Sequence, residues 1–272
     1  GRSMVRGRMT TVRLSPGPVG EGIRFRRVDR RGRGGEAAAN WRSRIDVPYC
    51  TALAAPSGAK FYMVEHCLAA LSAAGVADAL VEVDGPELPH GHGSALAYCD
   101  AILEAGLAPA PPVRSIQIIR PLAFNFGRTR YRFDPAPRLA CDVTVSLNHF
   151  GLLQWQGPIE WEDFRRSIAP ARSISRLLPL ATAARLALVW ALKRGQLGVV
   201  VLHKDRVMNF GGLRMPDEMV RHRVIDVLGD MTLAGAPIIG RISAFASSHA
   251  RNLAAVERLM SSPDVWRMTA SG

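Results

Sequence analysis

Hydrophobic and polar positions along this chain alternate with two periods, and the changes from one period to the other predict its elements. A period of two over 9–15 and 22–27 predicts two strands, joined by a proline- and glycine-containing turn at 16–20. A helical period then begins near Phe61 and ends at Gly75. A strand over 79–83 and a helix over 94–105 complete this first half.

The pattern restarts after a proline-rich stretch at 108–112, which is typical of a linker. The elements predicted beyond it are strands at 114–124, 129–134, 139–147, 198–203, 206–209 and 238–246, and helices at 159–168, 178–194, 216–234 and from 249 onward. The tetrapeptide Met-Val-x-His occurs once in each half, at residues 63–66 and 219–222. We therefore expect an α+β protein of two domains, 1–108 and 113–272.

Composition narrows the class of protein. The chain has 272 residues, of which 48% are hydrophobic and 21% charged, as in a globular protein with a sizeable core. The net charge of +12 favours a polyanionic partner, or else reflects a basic surface without a specific role. Since no nucleic-acid recognition motif accompanies the charge, we expect no nucleic-acid binding.

Cysteine usage and hydrophobic run lengths indicate a cytoplasmic location. The four cysteines form no CxxC pair, which argues against a disulfide framework and against a cysteine-ligated zinc site. The basic residues at 1–6 are followed by no apolar segment, so no signal peptide is predicted. The longest apolar run, 177–192, contains Pro179 and Arg185 and is too interrupted to span a bilayer.

Candidate chemistry concentrates on two predicted helices. His222, Asp226 and Asp230 are spaced at i, i+4 and i+8, so they share one face of the 216–234 helix. A histidine and a carboxylate one turn apart can bind one metal ion, although an ordinary solvated face has the same pattern. The pair Glu65-His66 on the first helix adds a third ligand and a neighbouring base. Three nitrogen or oxygen ligands with an open fourth position are typical of catalytic zinc.

Three further histidines have more than one interpretation. His249 follows Ser247-Ser248 and is either a general acid or part of a helix cap. His90 and His92 are spaced at i and i+2, which suits either a second metal site or, in the preferred interpretation, a polar loop.

Two segments give the chain a family resemblance. Residues 63–71, MVEHCLAAL, resemble the TVEHLLAAL segment of the UDP-3-O-acyl-N-acetylglucosamine deacetylases, the LpxC family of lipid A synthesis. Residues 220–230, VRHRVIDVLGD, resemble that family's VRHKxLDxxGD helix. Further similar segments occur in the family's order across nearly the whole chain, at 22–29, 83–89, 93–95, 171–173, 209–214 and 248–252.

The resemblance implies a fold of two related α+β domains, each a two-layer sandwich, with the helices packed between the sheets and a zinc site at the domain junction. It assigns the zinc ligands to His66, His222 and Asp226. It also implies catalytic roles for five residues: Glu65 as general base, His249 as general acid, Asp230 orienting His249, Ser173 supporting the oxyanion, and Arg223 in place of a family lysine.

The chain also departs from the family pattern. Arg223 keeps the charge of the family lysine with a different geometry. His92 replaces an aspartate, and an early histidine-containing glycine segment has no counterpart in residues 1–7. Because these changes spare the metal and acid–base residues, we expect a zinc-dependent deacetylase with altered substrate recognition.

The expected substrate is an N-acyl amino sugar, with UDP as the candidate carrier. Four arginines, Arg172, Arg214, Arg221 and Arg223, are candidates for binding its diphosphate. The apolar segment 177–192 is a candidate for contact with an acyl chain or a membrane surface, or else forms a core helix. The alternative is a non-catalytic or regulatory relative that retains the metal site.

Overall fold

A computed structural model describes residues 1–4, 7–29, 35–107, 113–176, 198–204 and 206–271. Five α-helices occur in these ranges: α1 (Glu65–Ala73), α2 (Leu96–Ala105), α3 (Trp161–Asp163), α4 (Glu218–Met231) and α5 (His249–Met260). The strands in the same ranges are β1 (Val12–Pro16), β2 (Ile23–Arg27), β3 (Glu36–Ala38), β4 (Arg44–Ile45), β5 (Ala52–Ala54), β6 (Lys60–Tyr62), β7 (Ala79–Val83), β8 (Val113–Ile118), β9 (Leu122–Phe126), β10 (Thr129–Asp134), β11 (Ala140–Leu147), β12 (Gly151–Pro158), β13 (Ser173–Arg176), β14 (Val199–His203), β15 (Arg206–Val207), β16 (Ile238–Ile239), β17 (Arg241–Phe245) and β18 (Trp266–Ser271).

The main sheet of each half contains one parallel strand pair that flanks a long helix in sequence. In the first half the strand order is β1-β7-β2-β3, and the parallel pair β2/β7 has α1 between its members along the chain. In the second half the order is β12-β11-β17-β10-β9, and the parallel pair β11/β17 encloses α4 in the same way. The described residues also form three smaller sheets, β4-β5-β6, β13-β14-β15 and β16-β8-β18.

Helices α1 and α4 pack directly on each other, and a glycine allows their close approach. A Cβ atom at Gly229 of α4 would lie 2.1 Å from the backbone oxygen of Glu65 in α1. Only a residue without a side chain fits there. The contact brings the start of α1 beside the C-terminal half of α4, the helix on which the candidate chemistry was predicted.

The polar face of α4 is buried rather than solvated. Apart from Arg221 and Arg223, all residues of this helix are buried, because α1, α5 and β11 pack around it. One continuous apolar core, running from Ile23 to Val265, contains buried residues of both halves. A row of polar residues held inside such a core needs partners, so the solvated-face interpretation of His222, Asp226 and Asp230 is wrong.

The mixed α+β class is confirmed, while several element boundaries differ from prediction. Helix α1 begins at Glu65 rather than Phe61, because Phe61 pairs in β6 and Met63 adopts a left-handed turn with φ of 64°. The predicted strand 114–124 is two strands, β8 and β9, in different sheets.

Seven strands in the described ranges were not predicted: the four short strands β3 to β6, and β12, β13 and β18. Strand β12 carries glycine and proline at its ends and exposes one face, so its pattern is weak. Strand β18 follows α5 and pairs with β8, although the chain was predicted to finish in helix. The predicted linker 108–112 and apolar helix 178–194 lie outside the described residues. Among the helices that are described, none is long and apolar enough to cross a membrane.

Candidate active site

The three predicted metal ligands come together at the contact between α1 and α4. His66 is the second residue of α1, and His222 and Asp226 lie one turn apart on α4. One potential ligand atom from each lies within 4.8 Å of the other two, and all three side chains are buried. The rings of His66 and His222 meet edge to face with their centroids 5.1 Å apart.

Hydrogen bonds engage one ring nitrogen of His222 and one carboxylate oxygen of Asp226, so the other nitrogen and the other oxygen remain as potential metal ligands. The Nδ1 atom of His222 donates to the carbonyl oxygen of Ala171 at 3.1 Å, which turns Nε2 toward Asp226, 3.3 Å from its Oδ1 atom. Arg223 donates to Oδ2 of Asp226 at 2.8 Å. The other carboxylate oxygen, Oδ1, is buried without a hydrogen-bond partner in the described part of the chain.

The protonation states also suit a metal. Burial and the neighbouring His222 lower the pKa of His66 well below its usual value, so its imidazole is neutral. Burial opposes ionisation of Asp226, but His222, His249 and Arg223 outweigh it and hold the pKa of this carboxyl well below its usual value. Two imidazoles bound to one tetrahedral zinc ion have ring centroids about 5 Å apart, and the His66–His222 separation fits that arrangement.

Glu65 lies beside the ligands with a raised pKa. Its Oε2 atom accepts a hydrogen bond from the backbone N–H of Thr51 at 3.0 Å. Burial, opposed by the nearby His249, raises the pKa of Glu65 to about 7. A carboxylate that takes up and releases a proton near neutral pH suits a general base.

His249, the first residue of α5, has the opposite character. Its Nδ1 atom donates to Oδ2 of Asp230 at 2.9 Å, and its Nε2 atom lies 4.0 Å from Oδ1 of Asp226. Burial lowers the pKa of His249, but Asp230 and Asp226 outweigh it and raise the value to about 10. The side chain is therefore an imidazolium at neutral pH, which suits a general acid.

Asp230 is held by residues that sequence reasoning did not single out for chemistry. Its Oδ1 atom accepts from the Thr51 hydroxyl, and its Oδ2 atom accepts from Asn252 Nδ2 at 2.7 Å. The Tyr131 hydroxyl donates to Asn252 Oδ1 at 2.6 Å. Thr51 is fully buried just before the apolar strand β5. A hydroxyl-bearing residue directly before an apolar strand was the one signal in the sequence that could have identified Thr51.

The structure places Ser173 and Arg223 differently from the other predicted catalytic residues. Ser173 begins β13 and donates through Oγ to the carbonyl oxygen of Gly93 at 3.2 Å. Arg223 is bound to the metal-ligand candidate Asp226. Their predicted contact with a substrate oxygen stays a prediction.

The two histidines of the 90–92 segment have different surroundings. His90 is buried, and its ring centroid lies 6.1 Å from that of His66. Burial and the neighbouring His222 lower the pKa of His90 to about 4. His92 is exposed with a left-handed φ of 56°. The polar-loop interpretation therefore suits His92 but not His90.

The four candidate phosphate-binding arginines are engaged within the protein. Arg172 makes a bidentate ion pair with the buried carboxylate of Glu218, at 2.7 and 2.9 Å. Arg214 donates to a backbone carbonyl group, Arg221 to an aspartate and a carbonyl group, and Arg223 to Asp226. These contacts do not support the prediction that the four form a diphosphate site.

Comparison with known proteins gives one consistent result. Residues 1–261 match the family described as "LpxC: UDP-3-O-acyl N-acetylglycosamine deacetylase". The chain is 32% identical over 266 residues to the UDP-3-O-acyl-N-acetylglucosamine deacetylase of Phenylobacterium zucineum (strain HLK1), a match that covers 96% of this chain and 90% of that protein. The corresponding protein of Anaeromyxobacter sp. (strain Fw109-5) is 34% identical over 268 residues, covering 96% of this chain and 85% of the relative.

Proposed function

The chain belongs to the UDP-3-O-acyl-N-acetylglucosamine deacetylase family, and on that premise we propose that it hydrolyses the N-acyl group of a UDP-linked amino sugar. As a member of this family it is a zinc-dependent N-deacetylase. The observation that carries the proposal is the buried contact between α1 and α4, which joins a two-histidine, one-aspartate donor set to a carboxylate and an imidazolium.

We propose His66, His222 and Asp226 as the residues that hold the zinc ion. Zinc bound there supplies a Lewis acid that polarises the amide carbonyl group and activates the attacking water. The neutral imidazole of His66 and the ionised carboxylate of Asp226 suit this role. The bond from His222 to Ala171 fixes the ring so that Nε2 faces the site.

The two proton transfers fall to Glu65 and His249. The carboxylate of Glu65 takes a proton from the attacking water, and its pKa of about 7 allows this near neutral pH. His249 donates the proton on Nε2 to the departing amine, because Nδ1 is held by Asp230. Protonation matters at this step because an amide nitrogen leaves poorly unless it is protonated.

Ser173 and Arg223 complete the proposed catalytic set as supports for the reacting oxygen. This assignment rests on the matching family segments, because the structure places Ser173 against Gly93 and Arg223 against Asp226. Arg223 then acts through Asp226, where its bond limits the carboxylate to one free oxygen atom.

The proposed substrate follows the names of the relatives, which are UDP-3-O-acyl-N-acetylglucosamine deacetylases. We propose altered recognition of such a substrate, because Arg223, bound to the metal-ligand candidate Asp226, replaces the family lysine, and His92 replaces an aspartate. The intact pair Glu65 and His249 argues against a non-catalytic relative that only keeps its metal. A cytoplasmic location and a peripheral membrane contact through 177–192 stay proposals from the sequence.

We also propose that 1–108 and 113–272 are two related domains with the helices between their sheets. In support, β2-α1-β7 and β11-α4-β17 have the same plan, and each long helix contains the histidine of a Met-Val-x-His segment. The direct packing of α1 on α4 supports an active site at the contact between these halves.

The test combines metal content with hydrolysis by wild type and Glu65→Gln. We expect wild type to bind about one zinc ion per chain and to deacetylate UDP-3-O-acyl-N-acetylglucosamine faster than the same sugar without UDP. Glu65→Gln should keep its zinc and lose about 10²–10⁴-fold in kcat. The matched control is Glu257→Gln, which alters a half-exposed carboxylate on α5. Full turnover by Glu65→Gln would exclude the proposed base, and no turnover by zinc-loaded wild type would exclude the proposed substrate.

A further inference from the structure

A single peptide group connects the metal-ligand candidate His222 to a buried carboxylate one helical turn before it. The carbonyl oxygen of Ala171 accepts from Nδ1 of His222 at 3.1 Å. The N–H of the same peptide group belongs to Arg172 and donates to Oε1 of Glu218 at 3.0 Å. Because a peptide group is planar, a bond that holds its N–H also fixes the direction of its carbonyl group. Glu218 and His222 are spaced at i, i+4, so they lie on one face of α4.

The carboxylate of Glu218 holds more of this segment than one N–H group. Its Oε1 atom also accepts from Nε of Arg172 at 2.7 Å. Its Oε2 atom accepts from Nη2 of Arg172 at 2.9 Å and from the backbone N–H of Arg214 at 2.7 Å. Four hydrogen bonds therefore fix the main chain and the side chain of Arg172 against the first residue of α4.

Burial and charge favour one geometry for this pair. The Glu218 side chain is 0% exposed and that of Arg172 is 12% exposed. Burial opposes ionisation of Glu218, but hydrogen bonds from Arg172 and Arg214 outweigh it and hold the pKa of this carboxyl below its usual value. Arg172 also donates through Nη2 to the carbonyl oxygen of Gly212 at 2.9 Å. A planar guanidinium that binds a carboxylate through two nitrogens has a defined orientation, which a lysine amine does not reproduce.

We propose that Glu218 and Arg172 are positioning residues for the metal ligand His222, which they orient through the Ala171 carbonyl group. The proposal rests on the zinc site of the proposed function. A histidine ligand is oriented by the acceptor that binds its other ring nitrogen, and such an acceptor contributes to metal affinity. Hydrogen bonds in a chain polarise one another, so the charge of Glu218 also makes the Ala171 oxygen a stronger acceptor.

The test examines the metal site itself in Arg172→Lys and in Glu218→Gln. Arg172→Lys removes the two-nitrogen contact but keeps a positive charge beside the buried carboxylate, and Glu218→Gln keeps the shape and removes the charge. Competition with a chelator should show zinc affinity lower by about 10–100-fold in both variants. In protein loaded with Co²⁺ in place of zinc, the visible absorption bands depend on ligand geometry and should shift from those of wild type.

The matched control is Arg27→Lys, because Arg27 is also a buried arginine that binds a carboxylate through two nitrogens. Its partner is Asp29, its side chain is 3% exposed, and it lies on β2. We expect Arg27→Lys to lose stability as Arg172→Lys does, while its zinc affinity and cobalt spectrum stay those of wild type. A purely structural role for Arg172 would make the two variants alike.

A measurement on wild type alone completes the test. Nitrogen NMR of the histidine-labelled holoenzyme should show His222 with its proton on Nδ1 and the metal on Nε2, and metal on Nδ1 would overturn the proposal even if every variant failed to fold. Wild-type zinc affinity and cobalt spectrum in folded Arg172→Lys or Glu218→Gln would also overturn it and leave the proposed function intact. An equal loss of zinc affinity in Arg27→Lys would have the same meaning. No zinc uptake by wild type would overturn both this proposal and the proposed zinc site.

Discussion

One face of α4 serves two regions whose chemistry differs. The metal region consists of His66, His222 and Asp226, and the acid–base region consists of Glu65, Asp230 and His249. Asp226 and Asp230 are one helical turn apart and both buried. In the metal region Asp226 keeps one oxygen without a hydrogen-bond partner among the described residues. In the acid–base region both oxygens of Asp230 accept hydrogen bonds from side chains.

The difference comes from what other elements bring to each turn of the helix. Helix α1 places an imidazole opposite Asp226, and this imidazole is kept neutral by burial. At the next turn the segment before β5 brings the Thr51 hydroxyl, and α5 brings His249 and Asn252. An aspartate with an unsatisfied oxygen beside a neutral imidazole suits a cation. An aspartate surrounded by donors instead keeps an imidazolium in place.

Removing a metal ligand should have the largest effect, because the metal region is incomplete without its ion. We expect His222→Ala to lose bound zinc and, with it, detectable deacetylation. Elemental analysis and a turnover assay on the same preparation measure both. His203→Ala, which removes an exposed histidine at the end of β14, should retain both. If His222→Ala held a full zinc equivalent, the ligand assignment would have to be abandoned.

Removing the charge of Asp230 should instead affect proton transfer and spare the metal. For wild type, kcat/KM should rise as Glu65 loses its proton near pH 7 and fall as His249 loses its proton near pH 10. Asp230→Asn removes the main charge that raises the pKa of His249, so the alkaline limb should move toward neutral pH. We expect kcat to fall by about 10²–10³-fold with zinc retained.

The control for that experiment is Asp217→Asn, which removes the partner of Arg221 at the start of α4. Its pH profile should follow that of wild type. An unmoved alkaline limb in Asp230→Asn would mean that a group other than His249 sets this limb.

The sequence predicted the members of both regions but could not separate their roles by spacing. Periodicity places His222, Asp226 and Asp230 on one face of a helix, and the family resemblance assigned them. That face could still have been solvated, because burial depends on packing against distant elements. Thr51 and Tyr131 reach Asp230 and Asn252 from strands whose pairing no local pattern encodes. Their roles therefore became visible only in the folded chain.

Prediction of the fold from the sequence was limited in the same way. Strong local signals predicted α4 and the parallel strands β2 and β7. The prediction failed for the segment before α1, because the pairing of β6 with β5 overrides a continuous helical pattern there. The prediction for His90 in the active site was limited in the same way. Its glycine-rich loop was predicted to be polar and exposed, whereas the contact of Gly93 with Gly198 holds the loop beside the metal region.

Separating α1 from α4 should disturb both regions at once. In Gly229→Ala the added methyl group meets the backbone of Glu65, so the helices have to move apart. We expect a loss of about 1–3 kcal/mol in the free energy of unfolding, measured by urea denaturation. Zinc affinity and kcat should fall together. Gly157→Ala is the matched control, because its methyl group meets only the Trp155 ring at ordinary contact distance. Wild-type stability in Gly229→Ala would refute this account of the helix contact.

The smallest expected effect belongs to Thr51→Val, which changes the acid–base region alone. The substitution preserves shape and removes the hydroxyl that donates to Asp230, while the backbone N–H that binds Glu65 remains. Since Thr51 only positions Asp230 and His249, kcat should fall about tenfold, equivalent to about 1.4 kcal/mol, with KM and zinc content unchanged.

Thr51→Ser distinguishes positioning from a general loss of packing. It keeps the hydroxyl and removes a methyl group from a fully buried site, so it should lose stability and retain most of kcat. Thr51→Val should lose more of kcat than Thr51→Ser does. If the two variants lost kcat equally, the packing of Thr51 rather than its hydrogen bond would matter. The contrast between the two regions would then rest on Asn252 and His249 alone.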